Sequence, residues 1–71
     1  MPPSVVQTSR AQTILRESPR PALRRLSTHE TDSSVTIVGR VSSYYLKQLA
    51  QEAVMPILAG RTLVNHVTVD A

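Results

Sequence analysis

Arginine is the charged residue type that is concentrated in one part of this 71-residue chain. Five arginines precede residue 26, where Glu17 is the single acidic residue, whereas the rest of the chain carries three basic and four acidic side chains. Guanidinium groups bind phosphates and carboxylates through several hydrogen bonds, so this basic segment can recognise an anionic partner. Such a segment can equally be a solvated surface with no partner. The candidate binding residues are Arg16, Arg20, Arg24, Arg25 and, as a further contact, Tyr44.

No pattern typical of catalysis or metal binding occurs among the other polar residues. His29 and His66 stand alone in the sequence, whereas zinc requires three or four converging donors. The chain has no cysteine, and its two glycines are too far apart to form a phosphate-binding loop. We therefore expect a protein that is not an enzyme, with no catalytic residue, no cofactor and no metal.

The segments that must position these residues begin with a short helix. Ala11, Ile14 and Leu15 recur at i, i+3 and i+4, and Thr8 or Ser9 can cap a helix there. The prolines of "SPRP" end it, because a residue that precedes proline is disfavoured in the α region. The next segment, "ALRRLSTHE" (22–30), fits one helical turn or a strand. A strand is favoured, because the turn-forming sequence "TDSS" follows.

The second half of the chain contains the clearest patterns. Residues 35–41 alternate as a strand, and Gly39 leaves a gap on its apolar side, which predicts that a helix crosses the strand closely there. Ser42 or Ser43 can cap that helix, and Pro56 must kink or unwind its last turn. Its apolar stripe is formed by Leu46, Leu49, Ala50, Ala53, Val54 and Ile57.

The last strand is "LVNHVTV" (63–69), in which Leu63, Val67 and Val69 share one face and Asn65 interrupts it. The order of elements is therefore αββαβ. The predicted domain spans residues 9–70 and follows a flexible tail at 1–8. The predicted core consists of Ile14, Leu15, Leu26, Val35, Ile37, Val41, Leu46, Leu49, Ala53, Val54, Ile57, Val67 and Val69.

Two strand motifs resemble those of the BON domain, a small module found in bacterial osmotic-stress and other envelope proteins. "VTIVGRV" (35–41) resembles the strand in which a β-branched run leads to glycine and then valine, here Gly39 and Val41. "LVNHVTV" matches the closing strand, with Asn65, Val67 and Val69 on its Asn, apolar and Val positions. "LKQLAQEAV" fits the central helix. The chain departs from the family at "ILAGRT", which is one residue longer than the usual connection and follows Pro56. Its first helix is also short, so the chain resembles a short variant of the family.

The element order and the resemblance together predict an α+β fold, in which a three-stranded sheet carries two helices on one face. The resemblance implies a non-enzymatic module that binds an anionic phospholipid surface or a partner protein. Two alternatives remain open: a protein–protein or homo-oligomerisation module that uses a sheet edge, and nucleic-acid binding through the basic half. Since neither a signal peptide nor a membrane-spanning run is visible, the chain as given is expected in the cytoplasm, or at the envelope if it is a trimmed fragment.

Overall fold

The computed structural model describes residues 10–70 and contains three α-helices, one turn of 3₁₀ helix and three strands. The predicted tail and the proposed caps Thr8 and Ser9 lie outside these residues. In chain order the elements are α1 (Arg10–Arg16), α2 (Pro21–Arg24), β1 (Ser27–Glu30), β2 (Ser34–Val41), α3 (Tyr44–Val54), the 3₁₀ turn (Met55–Ile57) and β3 (Thr62–Val69).

The three strands form one mixed sheet in the order β1-β2-β3. β1 is antiparallel to β2, with Glu30 opposite Val35, and β3 is parallel to β2, with Val35 opposite Leu63 and Val41 opposite Val69. A parallel neighbour requires a crossover connection, which α3 provides. The predicted α+β class is confirmed. The sequence did not indicate which strand lies beside the last one, and in the structure that strand is β2.

The helices cover one face of the sheet, and the alternation of β2 determines which one. Val35, Ile37 and Val41 are buried beneath the helices, whereas Val38 and Arg40 lie on the opposite face and are exposed. No polar or charged side chain within residues 10–70 is fully buried. The fully buried apolar residues are Ala11, Leu15, Leu23, Leu26, Val35, Ile37, Val41, Ala50, Val54 and Val67.

This core agrees with the predicted one at its centre and differs at its margin. The stripe of α3 packs against the core as expected, but only Ala50 and Val54 of that stripe are fully buried. Ile14 is only half-buried, whereas Ala11 and Leu23, absent from the predicted core, are fully buried. The burial of Leu23 follows from α2, a one-turn helix that begins at Pro21 and that the strand interpretation of residues 22–30 did not contain. The strand itself is confined to the last four residues of that segment.

The two ends of α3 follow from local sequence. Ser43 caps the helix, because its Oγ accepts a hydrogen bond from the Leu46 N–H at 3.3 Å. The α-helix ends at Val54, and the 3₁₀ turn continues it through Pro56. This agrees with the prediction that proline must unwind the last turn.

Gly39 has a different neighbour from the one that its position in the strand suggested. The residue has φ +136°, and a Cβ placed on it would lie 2.6 Å from Leu26 Cδ2 and 3.4 Å from Leu26 Cα. The gap beside Gly39 is therefore filled by Leu26, which lies between α2 and β1, and the expectation that a helix crosses there is wrong. Glycine is needed both for the backbone conformation and for the close approach.

An ion pair between Glu30 and Arg61 joins three distant parts of the chain. Arg61 Nη1 lies 2.8 Å from Glu30 Oε1, and the same guanidinium donates to the carbonyl oxygens of Ile57 at 2.8 Å and Leu58 at 2.9 Å. Glu30 Oε2 accepts the Ala11 N–H at 3.0 Å. The pair thus holds the first turn of α1 and the carbonyls that end the 3₁₀ turn against the start of the sheet.

Arg61→Ala is expected to lower the free energy of unfolding by about 2 kcal/mol, because a largely buried carboxylate and two carbonyl groups lose their donor. Chemical denaturation followed by circular dichroism measures this loss. The matched control is Arg40→Ala. The Arg40–Asp70 pair is 3.5 Å long with side chains 76% and 64% exposed, so a change within about 0.5 kcal/mol is expected there. Equal losses in the two variants would contradict a structural role for the Glu30–Arg61 pair.

Candidate functional site

The four candidate arginines lie at helix ends around the turn between α1 and α2. Arg16 ends α1, Arg20 precedes the first turn of α2, Arg24 ends α2, and Arg25 is its C-cap residue. All four are exposed. Within residues 10–70 the two ion pairs are those of Arg40 and Arg61, so none of the four is paired with a carboxylate there. We call this group the arginine segment (residues 16–25).

Arg20 is held in position by an aromatic ring of α3. Its guanidinium carbon lies 5.4 Å from the ring centre of Tyr45, and Nη2 lies 3.5 Å from the Tyr45 hydroxyl oxygen. The Arg20 N–H donates to Ser18 Oγ at 3.1 Å, which fixes the entry to α2. A stacked guanidinium keeps its charge and most of its donors, so Arg20 can still contact an anion from this position.

Two surface pockets border the arginine segment. One of about 320 Å³ lies between α2 and α3 and is lined by Arg20, Leu23, Leu49 and Glu52, among others. The other, of about 280 Å³, is lined by Arg25 together with the Arg40–Asp70 pair. Each pocket therefore combines arginine with one carboxylate, and neither is a wholly cationic cavity. At these two pockets, the groups that can attract an anion are the exposed ends of the arginines.

Tyr44 lies apart from this site. It is 74% exposed and borders a pocket of about 210 Å³ beside β3, together with Lys47, Gln48, Gln51 and Asn65. The aromatic residue in contact with the arginine segment is Tyr45, which is not among the candidate residues predicted from the sequence. The sequence does not indicate which of the two adjacent tyrosines contacts Arg20, because the contact depends on where α2 packs.

Asn65 is a second residue whose role emerges only from the structure. It is half-buried on the helix-facing side of β3, and its Nδ2 donates to the Lys47 carbonyl oxygen at 3.1 Å and to Gln51 Oε1 at 3.4 Å. Its Oδ1 accepts the Val67 N–H at 3.1 Å. The asparagine that interrupts the apolar face therefore connects α3 to β3, and its polar groups are satisfied.

The part of the chain that the structure describes contains no group of three or more histidine, cysteine, aspartate or glutamate side chains that could hold a metal ion. His29 and His66 lie on the two outer strands and are exposed. Among the helices within residues 10–70, none combines the length and the apolar character needed to cross a bilayer.

The fold defines the chain as an α+β protein with a three-stranded mixed sheet and helices packed on one face. No protein-family model matches it, and neither a curated protein nor a solved structure matches it. Membership of the BON family therefore stays a prediction that rests on the two strand motifs.

Proposed function

We propose that this protein is a non-enzymatic binding module that attaches to anionic phospholipid surfaces through the arginine segment. The observation that carries the proposal is the group of four exposed arginines that lack a carboxylate partner within residues 10–70. Each basic side chain near an anionic membrane contributes about 1 kcal/mol of attraction. The resemblance to BON domains supports the same class of partner.

The local structure favours simultaneous contact by these side chains. Pro19 and Pro21 restrict the backbone between α1 and α2, so little conformational freedom is lost when the arginines meet a surface. A membrane also suits a site without a closed pocket, since the attraction is summed over charges and needs no enclosed ligand.

Nucleic acid fits the same charges less well. Non-specific binding of single strands combines a basic groove with aromatic platforms for the bases. The sequence has only two aromatic residues, and one of them, Tyr45, is occupied by the guanidinium of Arg20. This alternative predicts salt-dependent binding to single-stranded oligonucleotides that matches or exceeds binding to vesicles.

The test is co-sedimentation with phosphatidylcholine vesicles that contain or lack phosphatidylglycerol. The variant with Arg24→Gln and Arg25→Gln is expected to bind the anionic vesicles roughly thirtyfold more weakly, which corresponds to the loss of two contacts of about 1 kcal/mol each. Its melting temperature should be nearly unchanged, because both side chains are exposed.

The matched control carries Arg10→Gln and Lys47→Gln, which removes the same charge from outside the arginine segment. It should bind more tightly than the first variant. Equally weak vesicle binding by the two variants would show that net charge alone governs binding. A wild-type protein that does not bind anionic vesicles at low salt would refute the proposal.

A further inference from the structure

Within residues 10–70, no strand pairs with the outer edge of β3. The N–H groups of Thr62 and of Asp70, the residue after β3, point inward and donate to the carbonyl oxygens of Ser33 and Val41. Because alternate residues of a strand point their backbone groups in opposite directions, the backbone N–H and C=O groups of the odd-numbered residues of β3 point outward from the sheet edge. These residues are Leu63, Asn65, Val67 and Val69.

The opposite edge of the sheet is treated differently. Gln12 of α1 covers β1, since its Nε2 donates to the Leu26 carbonyl oxygen at 2.9 Å and its Oε1 accepts the Thr28 N–H at 2.9 Å. Natural proteins protect exposed edges with such covers, or with lysine, glutamate or proline on the strand. The eight residues of β3 contain none of those three residue types, and within residues 10–70 no further strand lies beside it.

We propose that β3 pairs with β3 of a second copy of this chain, in antiparallel orientation, to form a continuous six-stranded sheet. In such a ladder, a residue whose backbone groups point outward must lie opposite a residue of the same kind. A twofold axis at His66 meets this condition. That register places Leu63 opposite Val69 of the second copy, and Asn65 opposite its Val67. On the open face, Val64 meets Thr68 of the second copy, and the two His66 side chains meet at the axis.

The edge is self-complementary in this register. Leu63 and Val69 are the half-buried apolar residues near the two ends of the helix-facing side, three positions before and after His66. One twofold axis therefore brings both into apolar contact at once. β3 carries no lysine, arginine or acidic residue, so two copies with a net charge of +3 do not bring formal charges together there.

A foreign peptide fits this edge less well than a second copy. Strand addition obtains its specificity from pockets that accept alternate side chains of the added strand. The pocket beside β3 is lined by four polar or charged residues, Lys47, Gln48, Gln51 and Asn65, with Tyr44 as its aromatic residue, so it is only partly apolar.

One contact of the single chain must change on pairing. The Val67 N–H, which points outward, donates to Asn65 Oδ1. In the dimer this N–H donates to the Asn65 carbonyl oxygen of the second copy, while the bonds from Asn65 Nδ2 to α3 are retained. Because one existing hydrogen bond is lost when the new one forms, the free energy gained on pairing is smaller. The dimer is therefore expected to be concentration-dependent and not obligate.

Cysteine substitution tests the register directly, because the chain has no cysteine of its own. In an antiparallel ladder, a non-hydrogen-bonded pair such as the two residues at position 66 has Cα atoms about 4.5 Å apart, within the range that a disulfide spans. His66→Cys is expected to form a disulfide-linked dimer under mild oxidation. His29→Cys, also exposed on the same sheet face but on β1, is the matched control and should form no disulfide-linked dimer.

Charge substitution tests the same edge without a covalent bond. Sedimentation equilibrium from micromolar to millimolar protein is expected to show a monomer–dimer equilibrium that His66→Lys weakens about fivefold, because like charges meet across the axis. Mixing His66→Lys with His66→Glu should restore association, and His29→Lys should leave it unchanged. A wild-type mass of one chain up to millimolar concentration, or equally fast cross-linking at positions 29 and 66, would overturn the proposal. So would a wild-type chain that stays monomeric and pairs β3 only with an added extended peptide.

Discussion

Leu26→Ala is expected to lower the free energy of unfolding by about 2–5 kcal/mol. The Leu26 side chain is 1% exposed, belongs to the central apolar cluster and fills the space beside Gly39, so its truncation leaves a cavity between β2 and the segment that joins α2 to β1. A chain of this size has a total stability of only several kcal/mol. Urea denaturation followed by circular dichroism should therefore show loss of most of the cooperative transition.

Leu49→Ala is the matched control for this substitution. Leu49 lies on the apolar stripe of α3 but is only partly buried, at the margin of the pocket beside Arg20. Its truncation removes less buried surface and leaves a site that water can fill, so a loss below about 2 kcal/mol is expected. If Leu49→Ala costs as much as Leu26→Ala, the centre of the core lies closer to α3 than the structure places it.

Gly39→Ala is expected to be destabilising by about 2–6 kcal/mol, through two separate effects. The φ of +136° lies in a region that residues with a Cβ rarely adopt, at a cost of about 1–3 kcal/mol. The new Cβ would also lie 2.6 Å from Leu26 Cδ2, and overpacking a core in this way costs about 1–3 kcal/mol. Thermal and urea denaturation of the variant measure the sum.

The control for Gly39→Ala is Gly60→Ala, which separates the two effects. Gly60 also has a positive φ, of +85°, but a Cβ there would meet nothing within 4 Å. Only the backbone cost of about 1–2 kcal/mol is expected. The double variant with Leu26→Ala and Gly39→Ala should be less destabilised than the sum of its single changes, because the truncated Leu26 makes room for the added methyl group. Strict additivity would contradict the contact between these two residues.

Much of the fold could be predicted because its signals are local. Alternation defined β2, the stripe and the serine cap defined α3, and Pro56 correctly marked the end of the regular helix. The contacts between distant segments could not be predicted. Leu26 fills the gap at Gly39, but no periodic pattern in the sequence indicates this contact. The Glu30–Arg61 pair joins residues 31 positions apart.

The same distinction applies to the candidate site. Exposure of the arginines could be expected from their charge alone, since isolated charges are rarely buried. Their aromatic contact could not, because Tyr44 and Tyr45 are adjacent and only the packing of the one-turn helix α2 brings Arg20 to Tyr45. In the sequence, Asn65 only interrupts an apolar face. In the structure, α3 provides the acceptors for its amide.

The parallel arrangement of β2 and β3 also determines how the domain can be tethered. The Ala11 N–H lies at Glu30, in the sheet row of Val35, whereas Asp70 hydrogen-bonds to Val41 at the other end of β2, about 20 Å away along the strand. Attachments at the two ends of the domain therefore leave from opposite ends of the sheet. Since Arg25 and Asp70 line the same pocket, a tag or sensor surface linked after Asp70 sits next to the arginine segment. A link placed before Ala11 starts at the opposite end of the sheet from that pocket.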